Sequence, residues 1–264
     1  MRREIVWTVL RREWSETVRN RLLMATILIP PILLTVAPIA LAGAIGSGGR
    51  TLPPALLHQI LTQRPEWSSF SPAELAGAFA VQQFLVFFLL MPAYIPLSIA
   101  TFSIIGEKQA RSLEPVLATP IRTLELLAGK SVAALVPGVA AGWCTYIAFV
   151  ALASIVYGPA LFGVVTDPSW LAGVFLLGPA VGLASVVAGV IVSARVNDPR
   201  VAQQIGGVVI VPIIALVLAQ ASGTVLVGPV GYVLLTLAVL VVALAGLRIG
   251  IRLFDREAIL TRWR

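Results

Sequence analysis

The basic residues of this chain are confined to a few short segments, and long apolar blocks separate them. That pattern constrains the fold more than any motif does. Seventeen of the 19 lysines and arginines fall in four segments: residues 2–21, 106–130, 194–204 and 248–264. The blocks between and beside these segments run to about 18 apolar residues or more, the length that crosses a bilayer as a helix. Only 12% of the residues are charged and 58% are hydrophobic, with mean hydropathy +0.96. A soluble domain of this length carries about twice that charge.

Six spans fit the blocks: about 22–45, 79–105, 131–157, 170–193, 205–221 and 229–247. With six, every basic segment lies on one side, and only Arg50 and Arg64 remain on the other, beside Glu66, Glu74 and Asp167. Removing any one span would scatter the basic segments over both sides. The positive-inside rule then places both termini, the 106–130 loop and the 248–264 tail in the cytoplasm. The expectation is an all-α, multi-pass protein of the plasma (inner) membrane of a prokaryote, one transmembrane domain over 1–264. The net charge of +7 reflects topology rather than affinity for nucleic acid.

Residues 2–21 read as an amphipathic helix lying on the cytoplasmic surface. Trp7, Leu10, Trp14 and Val18 share one face, and tryptophans on a basic helix suit the headgroup layer. Arg3, Arg11, Arg12, Glu13, Glu16 and Arg19 occupy the other faces. This block is not a signal peptide, because the following span is long and has no small-residue cleavage site. The link 194–204 reads as a short polar connection, and residues 47–78 as an outer loop carrying short helices.

The composition excludes several chemistries. The spans hold essentially no ionisable residue, which argues against proton-coupled carriers and pumps. One histidine, His58, cannot supply a metalloprotease or a Ser/His/Asp hydrolase site. One cysteine, Cys144, excludes an intrachain disulfide and reads as a small buried residue. No catalytic residue and no metal site is expected. Gly129-Lys130-Ser131 imitates the end of a phosphate-binding loop, but Leu124 stands where that loop needs glycine. The chain therefore binds no ATP or other cofactor of its own, and Lys130 reads as an anchor at the start of the third span. Gln82 and Gln83 are the costliest polar groups in the spans. Either they hydrogen-bond to another helix or they line a pathway.

The segment 106–130 is the longest polar interruption. Glu107 and Arg111 are spaced to pair on a helix, and Leu113, Val116 and Leu117 share a face. Thr119-Pro120 is a helix start. By this reading the segment is a helix–turn–helix suited to a groove on another protein, or else an ordinary loop.

Gly106 to Lys130, G-E-K-x-x-x-S-L-E-P-V-L-A-T-P-I-x-x-x-E-L-L-x-G-K, resembles the cytoplasmic loop of type-2 ATP-binding-cassette exporter permeases. The tail Leu253 to Leu260, the basic N-terminal helix and the six spans are similar to the half-size subunits of that family. The resemblance implies a coupling helix between the second and third spans. It also implies a cytosolic ATP-binding-cassette ATPase that carries ATP and Mg²⁺, and a second permease subunit forming a homodimer or a related heterodimer. By position in the motif, Glu107, Arg111, Leu113, Glu114, Leu117, Thr119 and Pro120 are the candidates for the ATPase contact, with the N-terminal helix as a second contact. The rival expectation is a non-transporting membrane scaffold or immunity protein that holds a cytosolic partner there. A membrane-embedded enzyme would need paired polar groups in the spans, which the sequence lacks.

Overall fold

A computed structural model describes residues 3–47, 52–110, 123–221 and 227–253. All regular structure among them is helical. The chain forms α1 (Arg3–Arg19), α2 (Arg21–Ser47), α3 (Pro54–Gln63), a 3₁₀ turn (Pro65–Ser69), α4 (Pro72–Phe88) and α5 (Leu90–Gln109). Then follow α6 (Thr123–Val165), α7 (Pro168–Leu171), a π-helical turn (Ala172–Leu177) and α8 (Gly178–Arg195). The chain closes with α9 (Pro199–Gly206), a 3₁₀ turn (Gly207–Ile210), α10 (Val211–Ala221) and α11 (Pro229–Leu253). Six of the segments are long and apolar enough to cross a membrane: Leu23–Ile45, Pro72–Gln109, Glu125–Tyr157, Leu161–Arg195, Pro199–Gln220 and Pro229–Gly250.

The second span is the axis of the fold. It begins at Ser71, well before the outer boundary expected from hydropathy. Ser71 and Glu74 form a reciprocal capping box, which starts the helix at Pro72. The span breaks into α4 and α5 at Leu89. Pro92 has no N–H for the Phe88 carbonyl and its ring crowds that turn, so the break falls one turn upstream of it. α5 then runs almost wholly buried between α6 and α8.

Glycines on those neighbours lie against the two proline residues. A Cβ at Gly138 on α6 would stand 2.5 Å from the Pro96 ring. A Cβ at Gly182 on α8 would stand 3.2 Å from the Pro92 carbonyl oxygen. The small residues thus let two helices approach a proline-bearing third at close range.

α6 does not run straight. The Tyr146 hydroxyl donates to the Val165 carbonyl at 2.8 Å. In a straight helix those residues would lie about 28 Å apart along the axis, so the chain doubles back between them. The stretch expected to be an outer loop is therefore helical and returns into the protein. It delivers Trp170 onto an aromatic cluster, 5.5 Å from the Phe149 ring and 5.9 Å from Tyr146. The π turn that follows precedes Pro179, which again removes a backbone donor. The Trp143 indole donates to the Val174 carbonyl in that turn at 3.3 Å.

Two further expectations change. Cys144 is exposed rather than buried, on the outward side of α6 with Trp143 and Ile147. The polar link contains a helix, α9, whose first N–H groups are held by the Asp198 carboxylate.

Candidate functional site

The charged residues of α1, α5 and α6 meet at the basic end of the bundle. Lys130, on the first turns of α6, is buried, and its ammonium has three donors. It donates to Glu13 Oε1 at 2.5 Å and Ser103 Oγ at 2.7 Å, and forms an ion pair with Glu107 Oε2 at 3.0 Å. Glu107 Oε1 faces Arg12 Nη2 at 3.8 Å, and Arg12 also pairs with Glu16 at 2.8 Å. The hydrogen bond from Arg12 to Glu16 holds the guanidinium above its ordinary value, against a smaller opposing effect of burial.

The ion cluster joins helices that are far apart in sequence. α1 reaches it because Leu10, Glu13, Trp14 and Thr17 repeat at three and four residues and share one face; Leu10, Glu13 and Thr17 are buried. The Trp14 indole donates to the Ala133 carbonyl on α6 at 3.1 Å. A Cβ on Gly129 would fall 2.9 Å from the Val9 side chain, so glycine is what lets α1 lie this close. The expected amphipathic face is thus rotated. Trp7 and Val18 are exposed, while Glu13, assigned to a polar face, lies at the centre of the contact. Lys130 is a buried ion-pair partner and not a snorkelling anchor.

The next residue along α5 ties the cluster to the fourth span. Lys108 Nζ donates to the carbonyls of Ser193, Ala194 and Val196 at 2.7, 3.3 and 3.3 Å. These are C-terminal carbonyls of α8, which lack helical partners and favour a cation. Gln109 donates to the Asn197 carbonyl at 2.9 Å. Glu107 and Lys108 therefore point to opposite neighbours, and the end of α5 is fixed on both sides just before residue 111.

Of the residues expected at the partner contact, Arg111, Leu113, Glu114, Leu117, Thr119 and Pro120 lie outside the described residues. Glu107 is described, and it is turned inward to Lys130. Sequence reasoning missed Glu13, Ser103 and Lys108. The available signal was the second apolar face of α1, on which a carboxylate sits between Leu10 and Thr17.

A second polar cluster lies at the other end. Arg64, at the end of α3, grips Asp167 with both guanidinium nitrogens, at 2.6 and 3.4 Å, and donates to Ser169 at 3.0 Å. Its guanidinium also stands 5.9 Å from the Trp67 ring centre. Burial opposes the Arg64 charge, but Asp167 and Glu66 together outweigh it and hold the group above its ordinary value. The 52–70 segment is thereby clasped to the turn before α7. Below it, Gln82 is buried and accepts from the Trp170 indole at 2.9 Å. Gln83 is half-buried and donates weakly to the Phe79 carbonyl at 3.4 Å, with its own Oε1 buried and unpartnered. Of the two expectations for this pair, the hydrogen bond to another helix describes Gln82.

Among the described residues, the chain is a helical bundle with six candidate spans and a buried ion cluster where α1, α5 and α6 meet. The model of the ABC-2 family transporter proteins matches residues 52–228, more than half of the chain. The chain belongs to that family, the membrane-embedded permease components of ATP-binding-cassette transporters. No curated protein matches it significantly.

Proposed function

We propose that this chain is the permease subunit of an exporter driven by a separate cytosolic ATPase, which docks on residues 106–130. Two copies, or this chain and a related one, form the pathway, with both termini in the cytoplasm of a prokaryote. The observation that carries the reading is the fixed end of α5. A docking element transmits motion only if its base is rigid, and Glu107 and Lys108 anchor that base to α1, α6 and α8. Arg111, Leu113, Glu114, Leu117, Thr119 and Pro120 then follow as the contact itself. α1, held by Glu13 and Trp14, is the second contact, with Trp7 turned towards the headgroup layer. ATP and Mg²⁺ belong to the partner.

The test is co-purification of the chain with its ATPase, followed by reconstitution. The expected result is a stable complex whose ATPase rate and transport both fall in Glu114→Ala and Leu117→Ala. Absence of a complex, or indifference of the rate to both substitutions, would refute the docking assignment. A complex that never moves any cargo would support a scaffold instead.

A further inference from the structure

A groove of about 480 Å³ runs between α8, α10 and α11. It begins at Leu177 and continues past Val181, Ala184 and Ala188 to Ile191. The fourteen residue-to-residue steps from Leu177 to Ile191 rise about 21 Å, more than half the hydrocarbon thickness of a bilayer. Among the described residues, no polar side chain lines the groove. The flanking helices carry exposed Val208, Val211, Leu234 and Val242, so the slot opens onto the surrounding hydrocarbon.

The wall has a charged foot. Val181, Ala184, Ala188 and Ile191 follow the three- and four-residue steps of one helical stripe, and the next step is Arg195, which is exposed. On the facing helix, a Cβ at Gly246 would meet Val187, and one at Gly250 would lie 3.8 Å from Ile191. Arg248, between them and exposed, therefore stands level with the Val187 to Ile191 end of the groove, about one turn before Arg195. Asp198 is the one nearby carboxylate among the described residues of the 194–204 link, and it is engaged in capping α9.

An apolar slot of acyl-chain length with a basic foot fits one class of ligand. We infer that it holds one acyl chain of a resident anionic phospholipid whose phosphate is bound at Arg195. A zwitterionic lipid would offer the same chain with less charge complementarity. A second copy of the protein would need a convex helix face in place of the chain.

The test uses the full chain in mild detergent, titrated with phosphatidylglycerol or phosphatidylcholine, with bound lipid counted by native mass spectrometry. Phosphatidylglycerol is expected to bind more tightly. Arg195→Gln should weaken its binding about fivefold, the effect of one basic residue near an anionic headgroup, and should leave phosphatidylcholine unchanged. Ala188→Trp, which fills the slot, should reduce binding of both lipids. Because that variant could misfold, a second measurement uses the unmodified protein. A phosphatidylglycerol with a photoreactive acyl chain should label the 181–191 and 208–216 segments. Equal binding of the two lipids, indifference to Arg195→Gln, or labelling confined to other helices would overturn the assignment. So would disulfide formation between two copies of Ala188→Cys, because a second copy would then occupy the groove.

Discussion

The two ends of the bundle solve the same problem with different chemistry. At each end a segment lying outside the spans must be held against the membrane helices by charged groups. At the basic end the ions are nearly dry: the side chains of Glu13, Lys130 and Glu107 are 4, 3 and 7% exposed. At the other end Arg64 grips Asp167 across a more open site, with side chains 13 and 21% exposed. A dry ion set is rigid and intolerant of losing one member. A wetter, forked pair clasps a loop at smaller cost when broken. The difference marks the basic end as the more tightly fixed of the two.

Breaking the dry cluster should have the largest effect. Lys130→Met leaves the buried Glu13 without its cation and Glu107 with only the more exposed Arg12 at 3.8 Å, and should cost about 3–5 kcal/mol. The check is thermal unfolding in detergent, with partial recovery when Glu13→Gln and Glu107→Gln are added. If Lys130→Met unfolds like the unmodified chain, the cluster does not hold α1. Next comes the support beneath the outer clasp. Trp170→Phe removes the donor to Gln82 and part of the aromatic packing, and should cost about 1–3 kcal/mol. An unchanged unfolding temperature would count against the Gln82 bond as structural.

The clasp itself should matter less. Arg64→Gln is expected to lower stability by about 1–2 kcal/mol, discounted for its partial exposure. Limited proteolysis of the 52–70 segment should accelerate, while ATP-driven transport persists. Loss of transport without faster proteolysis would reverse the roles given to the two ends. The smallest effect belongs to Trp7→Ala. Trp7 is 62% exposed, so unfolding should change by less than about 0.5 kcal/mol. A large loss would show that α1 lies on its other face.

The spans were legible in the sequence because each is a solvent-transfer signal, summed over many residues. Their placement was not. The second and sixth candidate spans have similar mean hydropathy, 2.0 and 2.6, yet 78% of one window is buried in the protein and only 11% of the other. Hydropathy cannot distinguish protein interior from lipid, since both are apolar. What separates the two spans is finer. The second carries Gln82, Pro92, Pro96, Ser98 and Thr101, which need neighbours, whereas the sixth is nearly all aliphatic. Six spans and the basic ends therefore followed from counting. The doubling back of α6 did not, because it depends on Tyr146 finding the Val165 carbonyl across 19 residues. The ion cluster was half legible. Glu107 and Lys130 stand out in the polar segment, but pairing them with Glu13 needs the rotation of α1, which two tryptophans on one face conceal.

The central claim is that the base of the 106–130 segment is held rigid so that a separate ATPase can drive the spans. The most direct measurement compares ATPase rate and transport in reconstituted complexes carrying Lys130→Met or Leu117→Ala. With Leu117→Ala the complex itself should weaken. With Lys130→Met the complex should still form and hydrolyse ATP, but transport per ATP should fall at least tenfold, about 1.4 kcal/mol of lost coupling. Unchanged transport per ATP in the Lys130→Met complex would contradict the account.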